Sequence, residues 1–296
     1  MHRLCALLLA ASAFPPLAAE EIRSTSVAEK WQDGFPVAGP HLGLMTLTGT
    51  TSDRLMLFSP AATPPSGDGG IFSAESPSFA VLAAARKAGA EKRFGWLTPS
   101  DPPRDLAEIR VDWLDGEQPF KDFSRTLDPA QGVVTTRFTR GTSELIGKVF
   151  ISEADDLTVI HLRADKPGSL SFKIRLERPG RPEATMEVKD RRVLILRGKT
   201  NEAADAPSFE VRAWVFPMES EVTPAEKDIS VLGEGEALVL IATAVGKEGS
   251  PALTEIGTRL QKYGFGGTEH PDISELWDGL LERHLKAHRA AMAEKR

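Results

Sequence analysis

Leu170-Ser171-Phe172-Lys173-Ile174-Arg175-Leu176 alternates apolar with polar residues throughout its length. A period of two sets Leu170, Phe172, Ile174 and Leu176 on one face and Ser171, Lys173 and Arg175 on the other. At a helix's roughly 100° per residue the same apolar side chains would fall on opposite sides, so the stretch reads as a half-buried strand. Ile109-Val111-Trp113 and Phe209-Val211-Ala213-Val215 repeat the pattern. Leu42–Leu47, Arg54–Phe58, Val133–Thr139, Glu144–Ser152, Leu157–Ala164, Arg192–Leu196, Ile229–Leu232 and Ala237–Ala244 are further strand candidates. Lys166-Pro167-Gly168, Arg178-Pro179-Gly180 and Gly233-Glu234-Gly235 are turn signals between them. At least ten strands with little intervening helix predict a mainly β fold, two large antiparallel sheets packed as a β-supersandwich.

Three segments break this period. Ser76-Pro77 resembles a helix start, with helix formers from Phe79 to Lys87. Ser59 to Gly70, rich in proline and glycine, reads as an irregular loop on the surface or beside a substrate. At the end, Pro251–Tyr263 and Asp272–Lys295 read as helices. The second carries a broad apolar stripe of Ile273, Leu276, Trp277, Leu280, Leu281, Leu285 and Met292, which needs either the sandwich or a further domain to cover it. The expected organisation is a signal peptide at 1–19, a β-supersandwich at 20–248 and C-terminal linker helices at 249–296.

The 296 residues include 36 basic and 42 acidic ones, a net charge of −6, which excludes the basic footprint of a nucleic-acid partner. Arg3, the apolar run Leu4–Ala13 and Leu17-Ala18-Ala19 have the order of a secretory signal, so a secreted or periplasmic location is expected. That run is too short to cross a bilayer, which takes about 20 apolar residues, and no membrane partner is expected. The single cysteine, Cys5, falls inside this leader. The mature chain therefore lacks thiol catalysis, thiolate zinc ligands and disulfides.

Few residues carry chemistry. His284 and His288 stand four apart on the last helix and share a face, a spacing that serves metal binding or helix packing. No metal and no cofactor is expected. Glycoside hydrolysis needs two carboxyl groups flanking the scissile bond. Asp155 with Asp156, or Asp112 with Asp115 and Glu117, are nominees, yet their positions at turns and strand ends suit ordinary turn residues equally. No catalytic residue is assigned. No nucleophile elbow, phosphate loop or dinucleotide fingerprint is present. Among the tryptophans, Trp113 and Trp214 lie in strands and belong to the core, whereas Trp31 and Trp96 have polar or glycine neighbours and suit a sugar-stacking platform.

Three stretches, taken together, resemble the N-terminal domain of glycoside hydrolase family 95, the α-L-fucosidase group. Trp31 through Gly39-Pro40-His41-Leu42-Gly43, followed by Asp53-Arg54-Leu55, is similar to that family's opening Trp and its Pro-small-Gly-Asn-Gly-Arg-Leu-Gly loop. Phe123-Ser124-Arg125-Thr126-Leu127-Asp128, continuing to Lys148–Ser152 and Asp155-Asp156, resembles its Tyr-x-Arg-x-Leu-Asp-Leu and Arg-Glu-Val-Phe-x-Ser-x-x-Asp signatures. Leu276-Trp277 through Leu281 to His284 resembles the linker helix before the catalytic domain. The departures concentrate on the sugar-facing edge. Gly39-Pro40-His41 replaces the family's Asn-Gly-Arg, and Leu57-Phe58-Ser59 replaces Leu-Asn-Glu.

The resemblance implies a supersandwich and, downstream of the linker helix, an (α/α)₆ catalytic barrel, for which no residue before Arg296 offers a match. The expectation is therefore a carbohydrate-related domain that does not hydrolyse glycosides alone. Its role would be structural, glycan-binding at Trp31, His41 and Trp96, or docking to a separately encoded barrel through Trp277, Leu281 and His284. Two alternatives stand beside it: an autonomous sugar-binding module, whose partner is an oligosaccharide, and a small active hydrolase of α-L-fucosides.

Overall fold

The computed structural model describes residues 21–30, 33–39, 42–59, 106–114, 119–179, 183–219, 221–263 and 272–293. The leader at 1–19, most of the Ser59–Gly70 loop, the Phe79–Lys87 helix, Trp31, His41, Trp96, Asp115 and Glu117 lie outside the described residues.

Two antiparallel sheets form the chain's frame, as the alternating sequence predicts. One has nine strands, in the order β1 (Ile22–Ser24), β6 (Phe120–Asp128), β7 (Val133–Arg140), β8 (Ser143–Ser152), β9 (Leu157–Ala164), β16 (Glu236–Gly246), β13 (Ser208–Pro217), β12 (Val193–Lys199), β11 (Thr185–Lys189). The other has seven, in the order β14 (Thr223–Pro224), β15 (Ile229–Glu234), β10 (Leu170–Glu177), β5 (Ala107–Trp113), β4 (Ser52–Phe58), β3 (Gly43–Leu47), β2 (Phe35–Ala38). The chain crosses between sheets after β1, β5, β9, β10, β13 and β15, which ties the two layers together. Between them lies one core. Phe172, Ile174 and Leu176 of β10 meet Ile160, Leu162, Val211, Val215, Val239 and Ile241 of the larger sheet.

Burial along each strand reports what covers its outer face. β10 alternates buried and half-buried positions from end to end, because one face is wet. β9 is buried at its first six positions, and β16 is buried at six consecutive positions. Their continuous apolar sequence fits, since a strand covered on both faces has no reason to alternate. The outer cover is a helical layer comprising α1 (Pro251–Glu255), two 3₁₀ turns (Ile256–Thr258 and Gln261–Tyr263) and α2 (Ile273–Ala293). Ile256, Leu260, Ile273, Trp277 and Leu280 form a second apolar cluster with Phe150, Val159, Trp214, Leu238 and Leu240 on that face. The predicted helix over 251–263 is thus short and tightly wound. Gly257 and the β-branched Thr254, Ile256 and Thr258 weaken a regular α-helix there. α2 follows its predicted span through the last described residue, Ala293, and Asp272 starts it by accepting the Glu275 N–H at 3.1 Å.

The turn between β6 and β7 shows how closely α2 approaches. Gly132 has φ +67°, and a Cβ there would lie 2.8 Å from the His288 ring, so glycine is needed for conformation and for space alike. Among the described residues no helix is long and apolar enough to cross a membrane.

Candidate functional site

α2 carries the residues expected to dock a partner, and the structure puts two of them to another use. The Trp277 indole stacks on the His161 ring, centroids 4.0 Å apart and planes at 18°, and contacts Phe150 at 5.6 Å. His284 stacks on Phe150 at 4.3 Å, and its Nε2–H donates to the Gln131 carbonyl at 2.8 Å. Trp277 and His284 are both buried against the chain's own sheet, so neither is available to a separate domain as expected. Leu281 is half-buried at the margin of the apolar cluster, where it borders a surface groove. His288, one turn on, donates its Nε2–H to the Pro129 carbonyl at 3.0 Å. Both rings are buried and spend Nε2 on carbonyls of the β6–β7 turn, so the His284–His288 spacing serves to pack and fasten α2. Among the described residues no three His, Cys, Asp or Glu side chains converge as a metal site would require.

His161 projects from β9 beneath Trp277 and donates from Nε2 to Glu236 at 2.6 Å. Burial pushes its pKa below the ordinary histidine value, and the nearby charges of Lys148 and Arg163 act in the same direction; Glu236 opposes them. The ring is held as a packing surface for the indole.

The nominated carboxylates that the structure describes, Asp112, Asp155 and Asp156, are committed elsewhere. Asp155, buried in the β8–β9 turn, accepts from Arg283 Nε at 3.0 Å, from Ser152 Oγ at 2.7 Å and from the Tyr263 hydroxyl. It thereby ties the helical layer to the sheet. Asp156 pairs with Arg259 at 2.6 Å. Asp112 lies on the outer face of the seven-stranded sheet, bridged to Arg110 at 2.9 Å and Arg175 at 3.1 Å.

The structure describes the anchors of Trp31 and His41 rather than the residues themselves. Arg125 points into the sandwich, 4.8 Å from the Phe35 ring centroid. It donates from Nε to the Ser26 carbonyl and from Nη1 to the Asp33 carbonyl, both at 2.9 Å, gripping the chain on either side of residues 31–32. At the far end of β2 the Gly39 N–H donates to the Leu42 carbonyl at 2.8 Å, closing the chain across residues 40–41. The two segments thus leave opposite ends of one strand. Near Arg125, Asp53 of β4 accepts the Gly49 N–H at 3.0 Å. Burial raises its carboxyl from 3.8 to about 7, against the lowering influence of that hydrogen bond and of Arg140 and Arg125. Sequence reasoning took Asp53 and Arg125 only as parts of motifs. Their role in the frame shows only once the sheets are stacked.

Among the described residues, two cavities bear on the site. One, of about 860 Å³, borders β11, β12 and the 201–204 loop. Its cations are already engaged, Arg197 with Glu187 and Glu210 and Lys199 with the Ala204 carbonyl. The other, of about 440 Å³, crosses β1, β6, β7 and β8 beside Leu281 of α2.

With this geometry in hand, the chain can be placed among known proteins. The model of the glycosyl hydrolase family 65 N-terminal domain matches residues 22–247, and the chain belongs to that family. The expected likeness to a glycoside hydrolase N-terminal β-sandwich therefore holds; the family shown is 65 and not 95. Among solved structures, the chain is similar to one named "Putative kojibiose phosphorylase from human microbiome", with a TM-score of 0.49 and 12% identity. The likeness covers 91% of this chain and 37% of that one. No curated protein matches the chain.

The Asp53 site has a pH signature. A carboxyl raised above its unfolded value contributes stability that is whole below pH 3.8 and is lost as pH rises through about 7. Urea unfolding of Asp53→Asn is expected to show a flatter stability profile between those values, with a gain of a few kcal/mol at most on the alkaline side. An unchanged profile would mean that Asp53 ionises as freely in the folded chain as in the unfolded one.

Proposed function

We infer that this chain is a non-catalytic, carbohydrate-related sandwich domain that works alongside an (α/α)₆ catalytic domain. The family match over residues 22–247 carries this reading. The commitment of Asp112, Asp155 and Asp156 to ion pairs supports it, because a hydrolytic acid and base must be free to meet the same bond. The division at 20–248 and 249–296 is part of the proposal, with the second segment covering the sandwich. Within the glycoside hydrolases, the Phe123–Asp128 and Lys148–Ser152 stretches favour a partner acting on α-L-fucosides or α-L-galactosides. Kojibiose, taken from the name of the similar structure, is the competing substrate.

Residues 1–19 support export, and the exported protein is expected to begin at Glu20. N-terminal sequencing that found Met1 or Arg3 retained on the exported protein would contradict this.

The activity test uses the purified chain with aryl α-L-fucoside, aryl α-L-galactoside, and kojibiose plus phosphate. No turnover above blank is expected from any of them. A rate that disappears on Asp112→Asn or Asp155→Asn would overturn the non-catalytic reading.

A further inference from the structure

The groove beside α2 has an ordered floor. Strand register sets Arg23 opposite Thr126, Thr126 opposite Thr135, and Thr135 opposite Lys148, one row running across four strands. Leu127, Val134 and Val149 point into the core, so these neighbours face outward. With strands about 4.8 Å apart the row is about 14 Å long. It offers a guanidinium at one end, two hydroxyls in the middle and an ammonium at the other. Leu281 of α2 gives the groove an apolar wall.

The charges separate into engaged and available. Glu21 pairs with Arg23 at 2.7 Å, and Arg137 pairs with Glu144 at 3.1 Å. Asp128 accepts the backbone N–H groups of Ala130 and Gln131 and the Gln131 side chain. Lys148 Nζ stands 5.8 Å from the Trp277 ring centroid and has no carboxylate partner among the described residues. The Thr126 and Thr135 hydroxyls likewise make no hydrogen bond there. On a chain of net charge −6, this leaves one cation beside the hydroxyls of Ser124, Thr126 and Thr135 in a volume of about 440 Å³. That volume suits a small ligand, for which about 300–1,000 Å³ is usual.

We propose that this groove binds a short saccharide carrying a carboxylate, of the uronic-acid class. Lys148 takes the carboxylate. Thr126 and Thr135, each both donor and acceptor, match sugar hydroxyls, which a bare inorganic anion does not need. Leu281 packs against the C–H face of a ring. The choice of a saccharide rests on the carbohydrate reading above, whereas the site itself rests on the row of residues.

Calorimetric titration of the full chain with digalacturonate, with neutral cellobiose and with inorganic sulfate tests it. Digalacturonate is expected to bind about tenfold more tightly than cellobiose, a margin that Lys148→Met removes and rising salt erodes. Thr135→Val, which deletes one hydroxyl and keeps the shape, is expected to weaken both sugars, and it carries the test should Lys148→Met fail to fold. Equal affinity for the two sugars, equal affinity for sulfate, or no sugar binding by the folded chain would each overturn the proposal. None of those results touches the non-catalytic reading, which only turnover by the chain alone would defeat.

Discussion

The stack of Trp277 on His161, with Phe150 against the same indole, is the contact on which the outer half of this structure depends. A nine-stranded sheet with Val159, Leu238, Leu240 and Trp214 on its outer face cannot leave that face in water. α2 closes it, and other features follow from that closure. Two histidines one turn apart reach the carbonyls of the β6–β7 turn. Glycine is required at 132 because His288 lies against it. Asp155 is drawn beneath Arg283 and Tyr263. Large-to-small changes at buried aromatics cost about 3–5 kcal/mol, and here the loss would also unfasten the helix that positions the rest.

The fold was largely legible because alternation is a direct trace of one-sided burial. Leu170–Leu176 shows it cleanly, and the continuous apolar runs in Leu157–Ala164 and Ala237–Ala244 mark where the sheet is covered twice. The strands that escaped notice have physical reasons. β6 carries a register shift between Lys121 and Ser124, with Asp122 at φ +56°, which breaks the period at its start. β2 contains Pro36 and lies at a sheet edge, where proline is tolerated but its strand signal is weak. β11 is an exposed edge strand whose Thr185, Glu187 and Lys189 look like loop residues.

The candidate site was legible only in part. The spacing of His284 and His288 correctly put both rings on one helix face, yet their partners are backbone carbonyls, which no side-chain motif can announce. Arg125 stood out only within a signature. Its acceptors, the Ser26 and Asp33 carbonyls, lie 99 and 92 residues away in the chain, so its clamping role exists only in the folded state. The row of Arg23, Thr126, Thr135 and Lys148 comes from four separate strands and has no linear pattern at all. A domain of this kind thus spends its recognisable sequence on the frame. The surface it leaves open must be read from register.

The central claim is that the chain's own helix, and no partner, closes the larger sheet. Hydrogen exchange of the full chain, followed by mass spectrometry, tests it most directly. If α2 is part of the folded unit, amides from Leu276 to Arg289 are expected to exchange as slowly as those of β16, through the same global opening. Rapid exchange across 276–289 with β16 still protected would show an undocked helix, and the account of the outer face would fall.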